Sequence, residues 1–206
     1  MGRPVLHSAS KILDGARALV LGHGAAAATI GAIAAASGAP AGSIYHRFGS
    51  RDALMAELWI RAVHRSQDTF LAAAELADQP VEAAVAAGLS IFDFAAAAPE
   101  DARLLVSARR DDLVRAGLPA GLTRRLRELN EPIERAIAHL ARGVYGTDTA
   151  AARQLVALAA IDVPYGAVRR YLIAGGSPPG ELRPHVERAI RAVLDEDPST
   201  GLRRRT

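Results

Sequence analysis

The segment 29–54, TIGAIAAASGAPAGSIYHRFGSRDAL, constrains the fold more than any other part of the chain. Thr29 suits the N-cap of a short helix, and Gly38 supplies the left-handed residue with which a helix can end abruptly. Pro40 then suits the first turn of a second helix. The apolar positions that would hold both helices against a third are Ile30, Ile33 and Ile44. The segment therefore predicts a helix-turn-helix.

The order of residues in this segment is more specific than a bare helix-turn-helix. It runs Thr29, Ile33, Ala34, Gly38, Tyr45, Phe48, Arg51 and Leu54. In that order and spacing it resembles the TetR family of one-component transcriptional regulators. One position departs from the family pattern, because Arg47 stands where the family has His, and His46 lies one place earlier. The rest of the chain is similar to the family only in length and helical pattern.

The resemblance implies that the second helix binds DNA. Ile44 and Phe48 must point inward, which leaves an outer face of short and polar side chains. Serine and arginine side chains can hydrogen-bond base edges, so we expect Ser43 and Arg47 to contact bases. The resemblance assigns phosphate contacts to Thr29, Tyr45 and Arg51, which fix register rather than sequence. The predicted DNA-binding set is Thr29, Pro40, Ala41, Gly42, Ser43, Tyr45, His46, Arg47 and Arg51. The alternative is that Thr29 only caps and Tyr45 only packs.

Composition favours an all-α fold. Hydrophobic residues make up 50% of the chain but aromatic residues only 4%, and Ala and Leu, which favour helices, are abundant. We expect a three-helix DNA-binding bundle over residues 1–50, with a flexible tail at 1–7. A helical ligand-binding and dimerisation domain should cover 51–195, followed by a flexible tail at 196–206. The first expected helix begins at Ser8 or Ser10. Further helices are expected over about 29–37, 40–46, 50–77, 80–98, 99–117, 120–143 and 148–174, with a final one after 180.

Charge is distributed unevenly along the chain. Residues 1–51 carry five basic side chains and one acid, a net charge of +4, whereas the rest nets −1. A basic N-terminal module on a near-neutral body is expected where one end contacts phosphates. The absence of cysteine fits a cytoplasmic protein. Each apolar stretch is interrupted by Arg, Asp, His or Pro, so we predict neither a membrane span nor a secretory signal.

No motif in the chain predicts catalysis. AGGSPPG lacks the lysine of a phosphate-binding loop, and no metal-ligand spacing or nucleophile elbow appears. The acidic neighbours Asp111 and Asp112 point in different directions on a helix. We therefore expect no enzyme, no metal site and no cofactor.

The resemblance implies a cavity for a small-molecule effector in the helical body. Asp162 lies in an apolar run two residues before Pro164, where a buried carboxylate needs a partner. It either addresses a ligand or lies at a helix kink, paired with an arginine of a neighbouring helix or of a second subunit. The candidate ligand residues are Trp59, His64, Phe92, Phe94, Asp162 and Tyr165, and for the aromatic ones ordinary core packing is the alternative.

A single short recognition helix favours a homodimer, because a two-fold pair contacts two half-sites. The candidate interface residues on the last two long helices are Leu155, Ala159, Val163, Ile190, Val193 and Leu194. The alternative is that both stripes face their own core. The sequence thus predicts a transcriptional regulator that binds a palindromic operator as a dimer and is released by an effector. The resemblance implies a repressor, since the family mostly contains repressors. The competing hypothesis is a helical small-molecule-binding or interaction protein of the same fold without sequence-specific DNA binding.

Overall fold

The computed structural model describes residues 8–107 and 117–199. These residues form helices and connecting turns without strands, which confirms the all-α prediction. The tail at 1–7, the second half of the helix expected over 99–117, and residues 200–206 of the C-terminal tail lie outside the described residues. In chain order the α-helices are α1 Ala9–His23, α2 Ile30–Ser37, α3 Ala41–Phe48, α4 Arg51–Glu75, α5 Pro80–Ala97, α6 Pro99–Ser107, α7 Ala120–Glu128, α8 Glu131–Tyr145, α9 Ala150–Ala157, α10 Val163–Ile173 and α11 Arg183–Leu194.

The chain forms two compact units, each assembled from separate stretches of sequence. Unit 1 comprises Met1–His64 and Glu100–Leu129, and unit 2 comprises Arg65–Pro99 and Asn130–Thr206. Helix α4 therefore contributes its first half to unit 1 and its second half to unit 2. The domain boundary expected at residue 50 stays a prediction.

Unit 1 has an apolar core formed by α1, α2, α3, α6 and the first half of α4. Ile12, Ile33, Ile44 and Leu58 are fully buried in it, and Leu104 of α6 is buried beside them. Helix α7 packs on another face of α4, where Leu122 and Leu126 and their neighbours form a smaller cluster with Ala53, Ala56 and Ile60. The DNA-binding helices thus share a core with elements more than fifty residues away in sequence.

Unit 2 is centred on α5, which contacts α8, α10, α11 and the turn before α10. Close approach depends on Gly88: a Cβ there would lie 2.8 Å from Cδ1 of Ile190 and 3.2 Å from Cα of Ala160. Helix α5 is also long and apolar enough to span a membrane, with a mean hydropathy of 1.4, which differs from the expectation that no apolar stretch reaches that length. Ten of its residues are buried in unit 2, so we interpret α5 as a core helix.

Two of the predicted helices contain local changes, and in the first of them the sequence also allowed a kink before Pro132. The stretch expected over 120–143 is two helices, because α7 ends at Glu128 and α8 begins at Glu131 with Pro132 in its first turn. A proline lacks the amide hydrogen of a helix interior, so a helix start accommodates it. The helix expected over 148–174 contains a π-helical turn at Leu158–Asp162, immediately before Pro164.

Candidate functional site

Helix α3 has one polar, exposed face, and its other face is held in the core by a buried residue. Ile44 is fully buried, whereas Tyr45 is 53% exposed. The remaining predicted DNA-contact residues of this region, Pro40, Ala41, Gly42, Ser43, His46 and Arg47, are all exposed, as is Thr29 at the start of α2. The helix therefore offers hydroxyl, imidazole and guanidinium groups to solvent from a backbone fixed by the core.

The turn between α2 and α3 has the geometry that the sequence predicts. The Thr29 side chain caps α2 by accepting a hydrogen bond from the Ala32 amide at 3.2 Å. Gly38 has φ +72°, the left-handed conformation expected after a helix end. Ser37 is buried at this turn, where its hydroxyl donates to the Ile33 carbonyl at 2.6 Å and accepts from the Ala39 amide at 3.3 Å. Both the cap at Thr29 and the glycine turn are confirmed.

Arg51 is engaged within the protein. Its Nε donates to the Ala28 carbonyl at 2.8 Å, and its Nη2 donates to the Ala25 carbonyl. Nη1 contacts the Asp52 carboxylate at 3.1 Å. The side chain therefore ties the turn before α2 to the start of α4. A phosphate contact from Arg51 would have to share or replace these bonds, a restraint that the sequence pattern did not reveal.

A buried ion cluster joins α1 to α6 and α4, and sequence reasoning missed it. Asp101 is fully buried, and its Oδ1 accepts a hydrogen bond from Arg17 Nη1 at 2.5 Å. Arg17 also pairs with Glu100, and Arg61 of α4 lies 2.9 Å from Asp14 of α1. Burial disfavours the Arg17 charge, but the Asp101 hydrogen bond and the nearby carboxylates outweigh it, so the pKa of Arg17 is raised.

Unit 2 contains a half-open cavity of about 600 Å³ between the end of α4, the start of α5 and α8. Its volume is within the range of small-molecule sites. Most of its lining is small or apolar, and Glu75, Asp78, Arg135 and His139 supply its charged and polar groups. The lining residues are Leu71, Ala74, Glu75, Ala77, Asp78, Pro80, Ala83, Pro132, Arg135, Ala136, His139, Leu140 and Gly143.

The six residues predicted from sequence to bind a ligand do not line this cavity. Trp59 packs partly buried in unit 1, and His64 is exposed at the end of that unit. Phe92 and Phe94 are buried in the core of unit 2, which was the stated alternative. Asp162 and Tyr165 are exposed, so Asp162 needs no buried partner. The cavity was missed because alanine, glycine and proline create its space without a distinctive motif.

The residues predicted for a dimer interface divide into two groups. Ala159, Ile190 and Leu194 are buried inside unit 2, so the alternative of core packing applies to them. The partly exposed members are Leu155, Val163 and Val193. Large apolar side chains that are exposed nearby are Leu158, Tyr165 and Ile173, on the continuous stretch from α9 to α10. An interface on these helices would use the outer stripe of Leu158, Tyr165 and Ile173. The periodicity of the core-facing residues does not identify these positions.

A helix-turn-helix with an exposed polar recognition face, joined to a helical body, defines a DNA-binding transcription regulator. Residues 12–58 match the sequence model of the bacterial regulatory proteins of the tetR family. This match confirms the resemblance to the TetR family found in the sequence of this segment.

Solved structures show the same fold across almost the whole chain. The fatty acid degradation regulator FadR from Bacillus halodurans is 16% identical, with a TM-score of 0.68, over 89% of this chain and 98% of that one. FadR from Bacillus subtilis, solved in complex with stearoyl-CoA, is 13% identical, with a TM-score of 0.70, over 90% and 99%. A putative tetR-family regulator from Shewanella sp. PV-4 is 16% identical, with a TM-score of 0.67, over 90% and 95%. No curated protein sequence matches this chain.

Proposed function

We propose that this protein is a cytoplasmic repressor that binds a palindromic operator as a homodimer and is released by a small-molecule effector. The observation that carries the proposal is the outer face of α3, where polar side chains surround the fully buried Ile44. A rigid amphipathic helix with such a face suits insertion into the major groove. The competing hypothesis, a small-molecule-binding protein without sequence-specific DNA binding, gains weight only from the little base contact that Ala41 and Gly42 can make.

In this proposal two side chains of α3 discriminate between sequences. Arg47 and Ser43 contact base edges, since both are exposed on the outer face and carry hydrogen-bonding groups. Thr29 and Tyr45 contact phosphates and set the register. Arg51 contributes chiefly by holding the turn before α2, because its guanidinium donates to two backbone carbonyls.

Selection from random double-stranded DNA tests the regulator hypothesis. We expect enrichment of a palindrome whose half-sites lie about one helical turn apart. Arg47→Ala should weaken binding at one base position of each half-site by about 1–3 kcal/mol and relax the preference there. Arg127→Ala removes an exposed arginine from α7 and is the matched control that should leave the sequence preference intact. No enrichment at low salt would favour the competing hypothesis.

The proposed dimer uses the outer stripe of α9 and α10 together with the partly exposed Val193 of α11. Leu158, Tyr165 and Ile173 are 40%, 38% and 51% exposed, an apolar surface that a second copy of the chain would cover. Sedimentation should show a dimer at micromolar concentration. Leu158→Glu should dissociate it, because each interface receives the charge twice. Leu76→Glu, at an apolar residue that is 86% exposed, is the control and should leave the dimer intact.

The cavity of unit 2 is our proposed effector site. Its predominantly apolar lining favours an apolar or mixed small molecule. The FadR complex with stearoyl-CoA supports the idea that a protein of this fold can bind an acyl-CoA ligand. The effector must prefer the state that does not bind DNA, and DNA must then weaken the effector by the same factor.

A thermal-shift screen with acyl-CoA esters and apolar small molecules, followed by operator competition, tests this site. Ala136→Phe fills the cavity from α8 and should abolish the shift while leaving operator binding unchanged. Ala72→Phe adds the same side chain at an exposed position of α4 outside the lining and should behave as wild type. Ligands that bind without changing operator affinity would exclude the release mechanism.

A further inference from the structure

The ion pair between Arg17 and Asp101 lies on the side of α1 opposite the helix-turn-helix. Gly15 and Arg17 are two residues apart on α1. The direction that a Cβ at Gly15 would take and the direction of the Arg17 side chain therefore differ by a rotation of about 200° around the helix axis. Arg17 faces the buried carboxylate of Asp101 on α6. Asp14, three residues before Arg17, pairs with Arg61 of α4 on the same side. This side of α1 is thereby fixed to α4 and α6.

The other side of α1 touches the turn that leads into the recognition helix. A Cβ at Gly15 would lie 3.2 Å from the backbone nitrogen of Ser37 and 3.3 Å from the Cβ of Ser37. This leaves almost no room between α1 and α2. Ser37 is the buried residue whose hydroxyl bonds Ile33 and Ala39 at the turn between α2 and α3. Any displacement of α1 is therefore transmitted to this turn by direct contact.

We infer that Arg17 and Asp101 are positioning residues for DNA recognition, which set the placement of α3 through α1 and Ser37. This inference rests on the proposed DNA contacts of α3. A base contact requires the recognition helix to be held within a fraction of an ångström. The pair meets that need because the fully buried Asp101 carboxylate is joined to Arg17 Nη1 by a directional hydrogen bond.

The chemistry of the pair favours positioning over simple stabilisation. Apolar residues of similar size often replace a buried ion pair without loss of stability, since the desolvation of two charges offsets much of their attraction. Apolar packing of α6 in unit 1 is already provided by Leu104, which is fully buried in the core to which α1 also contributes. What an apolar replacement cannot supply is the directional bond from Nη1 to Oδ1.

The test replaces both partners together, as Arg17→Met with Asp101→Leu, so that neither member of the pair remains without the other. The control replaces the more exposed pair of Arg125 and Glu57, which joins α7 to α4 in the same unit, as R125M with E57L. Each protein is measured for thermal stability, for affinity to the selected operator and to a scrambled duplex, and for amide exchange over residues 30–48.

We expect the Arg17/Asp101 double variant to remain folded, with an unchanged salt dependence of binding. Its preference for operator over scrambled DNA should fall by about tenfold or more, the value of one good base contact. Amides of α2 and α3 should exchange faster than in the control variant. An unchanged preference together with unchanged exchange would overturn the inference. If the wild type itself shows no preference, the proposed DNA recognition fails, and exchange over residues 30–48 alone then decides whether the pair positions α3.

Discussion

In unit 1 the carboxylate of Asp101 is fully buried beside Arg17, whereas in unit 2 the ion pairs that join described helices lie at the surface. Arg183 of α11 pairs with Asp93 of α5, and Arg191 of α11 pairs with Glu82 of α5. All four side chains are more than a third exposed. Buried charges demand one geometry, while exposed pairs tolerate several.

The cores of the two units also differ in the size of the side chains where helices meet. Unit 1 fills much of its interior with large branched side chains, as Ile12, Ile33 and Ile44 illustrate, and has one close glycine contact at Gly15. Unit 2 brings helices together through small residues, with Gly88 against Ala160 and Gly143 against Pro80. The comparison indicates that unit 1 is built to hold one surface in place, and that unit 2 is built around close helix contacts that border a cavity.

The largest effect on stability should come from orphaning the buried charge of unit 1. Asp101→Leu leaves Arg17 without its buried partner, and we expect a loss of about 3 kcal/mol, at the lower end for a broken buried pair because Glu100 and Asp14 remain near. Urea unfolding measures the loss. Adding Arg17→Met to Asp101→Leu should restore much of it; equal stabilities of the single and double variants would show that the buried charge is unimportant.

A smaller loss should follow from overfilling the core of unit 2. Gly88→Ala places a methyl group 3.2 Å from the Ala160 backbone, which should cost about 1–3 kcal/mol in spite of the better helix propensity of alanine. Gly22→Ala on α1 meets no atom within 4 Å and is the control, expected to stabilise by about 0.5–1 kcal/mol. Thermal unfolding of both variants is the measurement. Stabilisation by both would mean that unit 2 is less tightly packed than its glycine contacts indicate.

Arg51 should show a moderate effect that separates its two possible roles. Arg51→Ala removes donors to Ala28 and Ala25, and we expect a loss of about 1–2 kcal/mol in the free energy of unfolding. Arg51→Lys keeps the charge but not the two-carbonyl geometry. If both variants lose stability alike, the internal bonds dominate. If only the alanine variant changes, and the change appears in the salt dependence of DNA binding, the phosphate role dominates.

The smallest effect should come from the surface pair of Arg191 and Glu82. The Arg191 hydrogen bond lowers the pKa of Glu82 below its ordinary value of 4.5. Its contribution to stability is therefore present above that value and lost as the pH falls through the lowered pKa. Glu82→Gln should lower the melting temperature slightly at pH 7, and the difference from wild type should shrink as the pH falls below about 4. A difference that grows on acidification would contradict the assignment.

How far the sequence predicted the structure depends on the range of the interactions involved. Thr29, Gly38 and Ile44 act within a few residues of their own position, and each lies where the pattern places it. Asp101 and Arg17 are 84 residues apart, and the sequence around Asp101 resembles any exposed start of a helix. No local signal marks such a carboxylate as buried.

The other differences between sequence and structure have a related origin. Leu122, Leu126, Leu129, Ile133, Ile137 and Leu140 keep a helical spacing across the break between α7 and α8, so periodicity alone conceals it. The stripe of Ile190 and Leu194 is apolar whether it faces the core or a second subunit. Periodicity identifies the buried side of a helix but not the partner that buries it.

The division of unit 1 between two stretches of sequence has a consequence for biosynthesis. Its core requires Leu104 on α6, and its second cluster requires Leu126 on α7. During translation the first helices therefore emerge without the side chains that complete their packing, and the unit closes only after residue 129 has left the ribosome. Folding by such distant contacts is slower than folding of a local bundle. The nascent helices α1 to α3 consequently lack part of their core while much of unit 2 is still to be made.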